Sequence, residues 1–220
     1  MAFDVLDEHE QGELVQKWLR ENVLSIVVGI GLGLLLIFGY QQWRKHQVSH
    51  RLDAATQFHV FATDLDKKDV SGAKAIGAKL DTDYSNTAYA TLSSLRMAEY
   101  YASQNDHKNA GAALQIAYDH AAIPALKTLS GLYLAKSEIA QKKPKAALSM
   151  IDKLPPQGYA GLRNEIRGDA LAALGRTTEA RKAYAAALAG LDSTLSGSTN
   201  HKFIEMKLNN LNAAGEHKGS

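Results

Sequence analysis

Few residues of this chain have the types and spacing that chemistry needs. His46 and His50 stand four apart on one helical face, a spacing that two zinc-bound imidazoles can use. No third ligand is identifiable beside them. His107 and His120 flank or end a helix, which suits surface groups or partners for C-terminal carbonyls. Gly29, Gly31 and Gly33 have the letters of a nucleotide loop, but no strand precedes them. There is no G-x-S-x-G, H-E-x-x-H or P-loop. Zero cysteines exclude a disulfide scaffold, a thiolate metal site and a cysteine nucleophile, without fixing the compartment. The residues therefore lead to the expectation of no enzyme, no cofactor and no metal.

The elements around these residues say more. The 220 residues suit one domain or a modest domain with an accessory segment. Four prolines and 34 alanines favour helices. A net charge of +2 is too small to suggest nucleic-acid binding, and a mean hydropathy of -0.24 rules out a multi-span membrane protein.

One span fits inside that average. Residues 23–40, VLSIVVGIGLGLLLIFGY, carry no charge. As a helix they reach roughly 27 Å, close to the hydrocarbon thickness of a bilayer. Trp18 precedes the run, and Tyr40 and Trp43 follow it, as interfacial aromatic belts require. The polar residues that follow, His46 and His50 among them, then mark the membrane exit. A cleaved signal peptide fits poorly, because the first 22 residues hold six acids (Asp4, Asp7, Glu8, Glu10, Glu13, Glu21) against Lys17 and Arg20. No small-residue cleavage pattern follows the apolar run. The segment reads as an anchor, with residues 1–22 before it, 23–43 as the span and 44–220 beyond. Within it Ser25, Gly29 and Gly33 form a small-xxx-small face fit for helix packing. Charge leaves the orientation open: Arg44, Lys45 and Arg51 slightly outweigh Lys17 and Arg20, but long domains translocate regardless of charge.

Beyond the span, residues 44–220 hold 23 basic and 17 acidic side chains, a net charge of +6. Apolar residues recur at helical spacing throughout, which makes the fold class all-α. The spacing predicts helices near 44–66, 70–82, 86–104, 107–121, 124–142, 144–153, 159–174, 177–190 and 200–213. Short connections force neighbours to pair antiparallel. The pairs repeat. Gly168, Ala180, Tyr184 and Ala187 occupy offsets 0, 12, 16 and 19 of the tetratricopeptide pattern, with Gly175 at the turn. Ala135, Ala147, Ile151 and Leu154 keep the same offsets, as do Ala98, Ala110, Leu114 and Ala117. A degenerate fourth unit covers residues 51–80, with Ala73 at its small position. The expected architecture is one N-terminal transmembrane helix followed by a tetratricopeptide-like α-solenoid, closed by a helix around HKFIEMKLNNL.

In such solenoids the first helix of each pair lines the concave face. By offset, the groove positions are Leu92, Leu95 and Glu99, then Leu129, Leu132 and Lys136, then Leu162, Glu165 and Asp169. Leucines beside alternating charges suit an extended polypeptide better than catalysis. The competing reading is that these leucines pack against neighbouring helices. A scaffold, an enzyme with an unrecognised helical site and a self-associating membrane organiser are the functional classes that remain.

The order EQGELVQKWLRENVLSIVVGIGLGLLL, GYQQWRKHQ, IRGDALAALGRTTEARKAY and MKLNNL resembles the YfgM family, ancillary subunits of the bacterial SecYEG translocon. The specific pieces are Glu21, Asn22 and Gly31 with Trp43, then Arg167-Gly168-Asp169, then Lys207 to Leu211. The resemblance implies an inner-membrane protein with a short cytoplasmic N-terminus and a periplasmic repeat domain. It further implies contact with SecYEG and with a membrane-anchored periplasmic chaperone of the prolyl-isomerase-like type. The implied role is assisting the transfer of exported polypeptides to periplasmic chaperones.

Overall fold

The structure is a computed structural model that describes residues 8–190 and 199–216. Asp4, Asp7, residues 192–198 of the loop that the sequence places at 192–200, and the C-terminal Ser220 lie outside the described residues, while residues 199 and 200 open the last helix. Among the described residues every regular element is an α-helix. They are α1 (Glu8–Asp66), α2 (Val70–Asp83), α3 (Ala88–Ser103), α4 (His107–His120), α5 (Pro124–Ala140), α6 (Pro144–Lys153), α7 (Ala160–Ala173), α8 (Thr177–Ala189) and α9 (Thr199–Glu216). From α2 onward the boundaries fall within a turn of the expected ones. The helix expected at 44–66 has no start of its own: it is the end of α1, because no proline or glycine interrupts the chain between Tyr40 and Asp66.

The chain divides into two compact units, Met1–His50 and Arg51–Ser220. The first contains an apolar stretch of mean hydropathy 2.5, none of it buried, the one helix among the described residues long and apolar enough to cross a membrane. Trp18, Tyr40 and Trp43 are all exposed, and the Tyr40 and Trp43 rings lie 6.0 Å apart.

The second unit is built of helix pairs with α9 at the end. Asp69 and Asp106 open α2 and α4 by accepting hydrogen bonds from the backbone N–H of Gly72 (2.9 Å) and Asn109 (3.1 Å). Pro124 and Pro144 stand at the first turns of α5 and α6, where a missing N–H costs nothing. The turn inside each pair is the same device four times. Lys68, Asn105, Lys142 and Gly175 adopt positive φ of 64°, 59°, 62° and 73°. The next residue then donates its N–H back five residues: Asp69 to Asp64, Asp106 to Tyr101, Lys143 to Glu138 and Arg176 to Leu171, all at 2.8–2.9 Å. This is a Schellman closure, and it satisfies carbonyls that the helix end would otherwise orphan.

The repeat register decides the core. All twelve offset positions of the three clear repeats are buried, as is Ala73 of the degenerate first unit. Ten of these thirteen positions belong to three apolar clusters. Phe61, Leu80, Met97 and Leu114 anchor the first, Leu132, Ile151 and Ile166 the second, and Leu171, Tyr184 and Ile204 the third. Ile204 comes from α9, which covers the last apolar face as expected of a terminal cap.

Candidate protein-binding surfaces

The nine groove positions separate by offset. Leu95, Leu132 and Glu165 lie three residues before Ala98, Ala135 and Gly168, hence on the same helical face as the buried small residues. Leu132 is fully buried in the second cluster, so it presents no surface to a groove. Leu95 is half-buried against the first cluster. Glu165 is 4% exposed. At this offset packing covers Leu132 and Glu165 and part of Leu95: the first helix of a pair touches its own partner and the next pair, and its apolar stripe is wide enough to take the position in. The flanking offsets stay open. Leu92 and Leu129 are half-buried, and Glu99 and Lys136 are exposed, with Glu99 held by Arg96 at 3.1 Å. Leu162 is half-buried and packs on the second cluster. Tyr133, next to Leu132, is 38% exposed and by helical spacing shares a face with Leu129 and Lys136, a position that the offsets do not single out.

Two of the last three positions, Glu165 and Asp169, meet a residue that the offsets do not reveal. Lys207 of α9 reaches back to α7 and binds Glu165 at 2.9 Å and Asp169 at 2.8 Å. The Tyr184 hydroxyl donates to the Asp169 carboxylate at 2.7 Å. The Lys207 ammonium also lies 5.8 Å from the centroid of the Tyr184 ring and 4.8 Å from that of Phe203. Burial opposes the charge on Lys207, but hydrogen bonds and charges from Asp169 and Glu165 outweigh it and raise its pKa. Burial, then the hydrogen bond to Asp169, then the two carboxylate charges push the Tyr184 phenol up as well. This cluster closes the unit. Its acids are spoken for by the chain itself, and the sequence clue was the acid pair four apart on α7.

The small face of the span is the opposite case. A β-carbon placed on Gly29 or Gly33 meets nothing within 4 Å among the described residues. Near the end of the same unit the His46 and His50 rings stack at 6.4 Å. Among the described residues no group of three metal-ligating side chains assembles around them or elsewhere.

Paired helices with twelve register positions buried, four identical turns and a terminal cap define a tetratricopeptide-type repeat protein. The chain belongs to the tetratricopeptide repeat-like domain family, which matches residues 16–213. It is 29% identical over 205 residues to an Escherichia coli K12 protein named ancillary SecYEG translocon subunit, covering 93% of this chain and 97% of that one. Proteins of the same name from Haemophilus influenzae and Aggregatibacter actinomycetemcomitans are 26% and 24% identical, each covering 96% of this chain and 100% of the relative. No solved structure matches.

Proposed function

We propose that the chain is a non-enzymatic, single-pass scaffold of the bacterial inner membrane that associates with the SecYEG translocon. In this reading residues 1–22 are cytoplasmic, 23–43 span the bilayer and 44–220 form a periplasmic repeat domain. The small face of Ser25, Gly29 and Gly33 contacts neighbouring helices in the membrane. The open groove positions Leu92, Glu99, Leu129 and Lys136, with the partly covered Leu95 and Leu162, receive proteins. The partners are exported polypeptides and a membrane-anchored periplasmic chaperone of the prolyl-isomerase-like type, to which the scaffold helps pass its clients.

The observation that carries this reading is coverage. Three ancillary SecYEG translocon subunits align with this chain over nearly their whole lengths, the anchor included. An exposed apolar helix joined to repeats of a type that presents extended binding surfaces supports the same conclusion. Site-specific photocrosslinking in membranes tests it, with the probe at Ser25, Leu129 or Leu95. A translocon subunit is expected from Ser25, and the chaperone or an exported chain from Leu129 and Leu95. Absence of translocon subunits from every position overturns the assignment.

A further inference from the structure

A broad, open cleft lies between α6 and α8, the second helices of two successive pairs, over the C-terminal end of α7. Two adjoining hollows of about 720 and 500 Å³ share Leu148, Asp152 and Arg176. The walls carry five cations, Lys145, Lys153, Arg167, Arg176 and Lys182, and two carboxylates, Asp152 and Glu179. Both carboxylates are engaged within the chain. Arg167 binds Asp152 at 2.6 Å, and Arg176 grips Glu179 with two hydrogen bonds of 2.7 and 2.6 Å.

Three exposed lysines remain, and among the described residues no carboxylate comes within 4.0 Å of them. Five cations less two acids leave +3 in this one cleft, half of the +6 carried by all of residues 44–220 (23 basic, 17 acidic). The floor between them is apolar, made by Leu148, Leu171 and Leu174.

We propose that this cleft docks an acidic, amphipathic segment of a partner protein. Its carboxylates meet Lys145, Lys153 and Lys182, and its aliphatic side chains rest on Leu148, Leu171 and Leu174. The lysines stand around an open apolar patch, so the occupant carries its charges beside aliphatic side chains, as one or two turns of an amphipathic helix do. The lysine stems add apolar cover at the rim while their ammonium groups stay in water. A flat array of lipid headgroups reaches the rim but leaves the leucine floor empty. The proposal is independent of the translocon assignment, because it rests on this cleft alone.

The test uses the full chain in phosphatidylcholine nanodiscs and a fluorescein-labelled helical peptide of glutamates and leucines as the probe. Binding is expected to weaken at least about tenfold when Lys145, Lys153 and Lys182 are all changed to alanine, and to fall with added salt. The same peptide with glutamines for glutamates should bind at least about tenfold more weakly to the unaltered chain. Alanines at the exposed Lys67, Lys108 and Lys202 remove equal charge elsewhere and should leave binding unchanged. Equal affinity in the Lys145/Lys153/Lys182 variant, equal affinity of the glutamine peptide, or equal loss in the control variant overturns the proposal. Displacement of the peptide by phosphatidylglycerol vesicles overturns it in favour of a lipid surface.

Discussion

The ring of Tyr184 occupies the space that a side chain on Gly168 would need: a β-carbon there would lie 2.5 Å from its Cε1 and 2.6 Å from its Cδ1. The same two register positions hold Ala98 with Leu114 and Ala135 with Ile151, where a slimmer aliphatic chain leaves room for a methyl group. Size at one offset thus compensates size at the other. Gly168→Ala is expected to destabilise the 51–220 unit by about 1–3 kcal/mol through overpacking. Tyr184→Ala is expected to cost about 3–5 kcal/mol through the cavity it leaves. In a Tyr184→Ile background Gly168→Ala should be nearly neutral. Urea unfolding of the four variants measures this coupling, and simple additivity of the costs would refute it.

Three of the four intrapair turns place a side chain where glycine is preferred. Lys68, Asn105 and Lys142 stand at φ near 60°, while the fourth turn uses Gly175. A residue with a β-carbon is strained in the left-handed region, and lysine has no short polar group to relieve it. Lys142→Gly is therefore expected to raise stability by about 0.5–1 kcal/mol, because the relieved strain exceeds the entropy that glycine adds to the unfolded chain. Gly175→Lys should lower it by a similar amount. A higher denaturant midpoint for the first variant and a lower one for the second are the expected readings.

The fold was legible wherever periodicity and punctuation were local. Gly168, Ala180, Tyr184 and Ala187 announce one repeat, and the other units follow by counting, because offset alone determines which side faces the neighbouring helix. The binding surface was legible only in part. Leu132 has the right residue type for a groove, but burial is decided by how far the next pair wraps around α5, and no local pattern states that distance. Lys207 was hidden for the same reason, since it meets Glu165 across 42 residues of sequence. The gaps between the expected helices place the turns at Lys68 and Lys142, but not their left-handed backbone, because lysine carries no such signature. Their place in the register, 37 residues either side of Asn105, was the clue.

The Lys207 cluster predicts how the cap responds to alkali. Both Lys207 and Tyr184 hold their protons more tightly in the fold than their ordinary values of 10.5 and 10.0 imply. The folded state then binds more protons than the unfolded chain once pH exceeds about 10, so stability must fall with rising pH there. Below that range both contributions are fully present. Thermal unfolding of the 51–220 unit should be flat in this respect up to about pH 9.5 and decline above it. Lys207→Met removes one of the two groups and should make the decline shallower. It also leaves Glu165 buried without its cation, which is expected to cost about 3 kcal/mol at neutral pH. A variant as stable as the parent, with an unchanged alkaline slope, would show that α9 is held by Ile204 and its apolar neighbours alone.

Orientation is where flanking charge and family resemblance disagree. Met1 is expected in the cytoplasm and Ser220 in the periplasm, against the slight excess of Arg44, Lys45 and Arg51. The long domain beyond the span makes those three charges weak determinants. A reporter active only outside the cytoplasm, fused after Ser220, should be active. A membrane-inserted but silent fusion reverses the topology and removes the periplasmic partners from consideration.

The span offers the most direct test of recognition inside the bilayer. Lipid gives helices no hydrophobic reason to associate, so contact depends on close packing and is sensitive to side-chain size. Gly29 and Gly33 have open space where their β-carbons would be among the described residues, so both positions accept a side chain. Leucines there keep the helix apolar and insertable while holding neighbours farther away. The Gly29→Leu/Gly33→Leu variant is expected to insert normally and retain a folded repeat unit, yet to copurify less SecYEG. Exchanging residues 23–40 for an unrelated apolar helix should have the same effect. Undiminished copurification with both variants would make the helix a tether alone and leave recognition to the repeat unit.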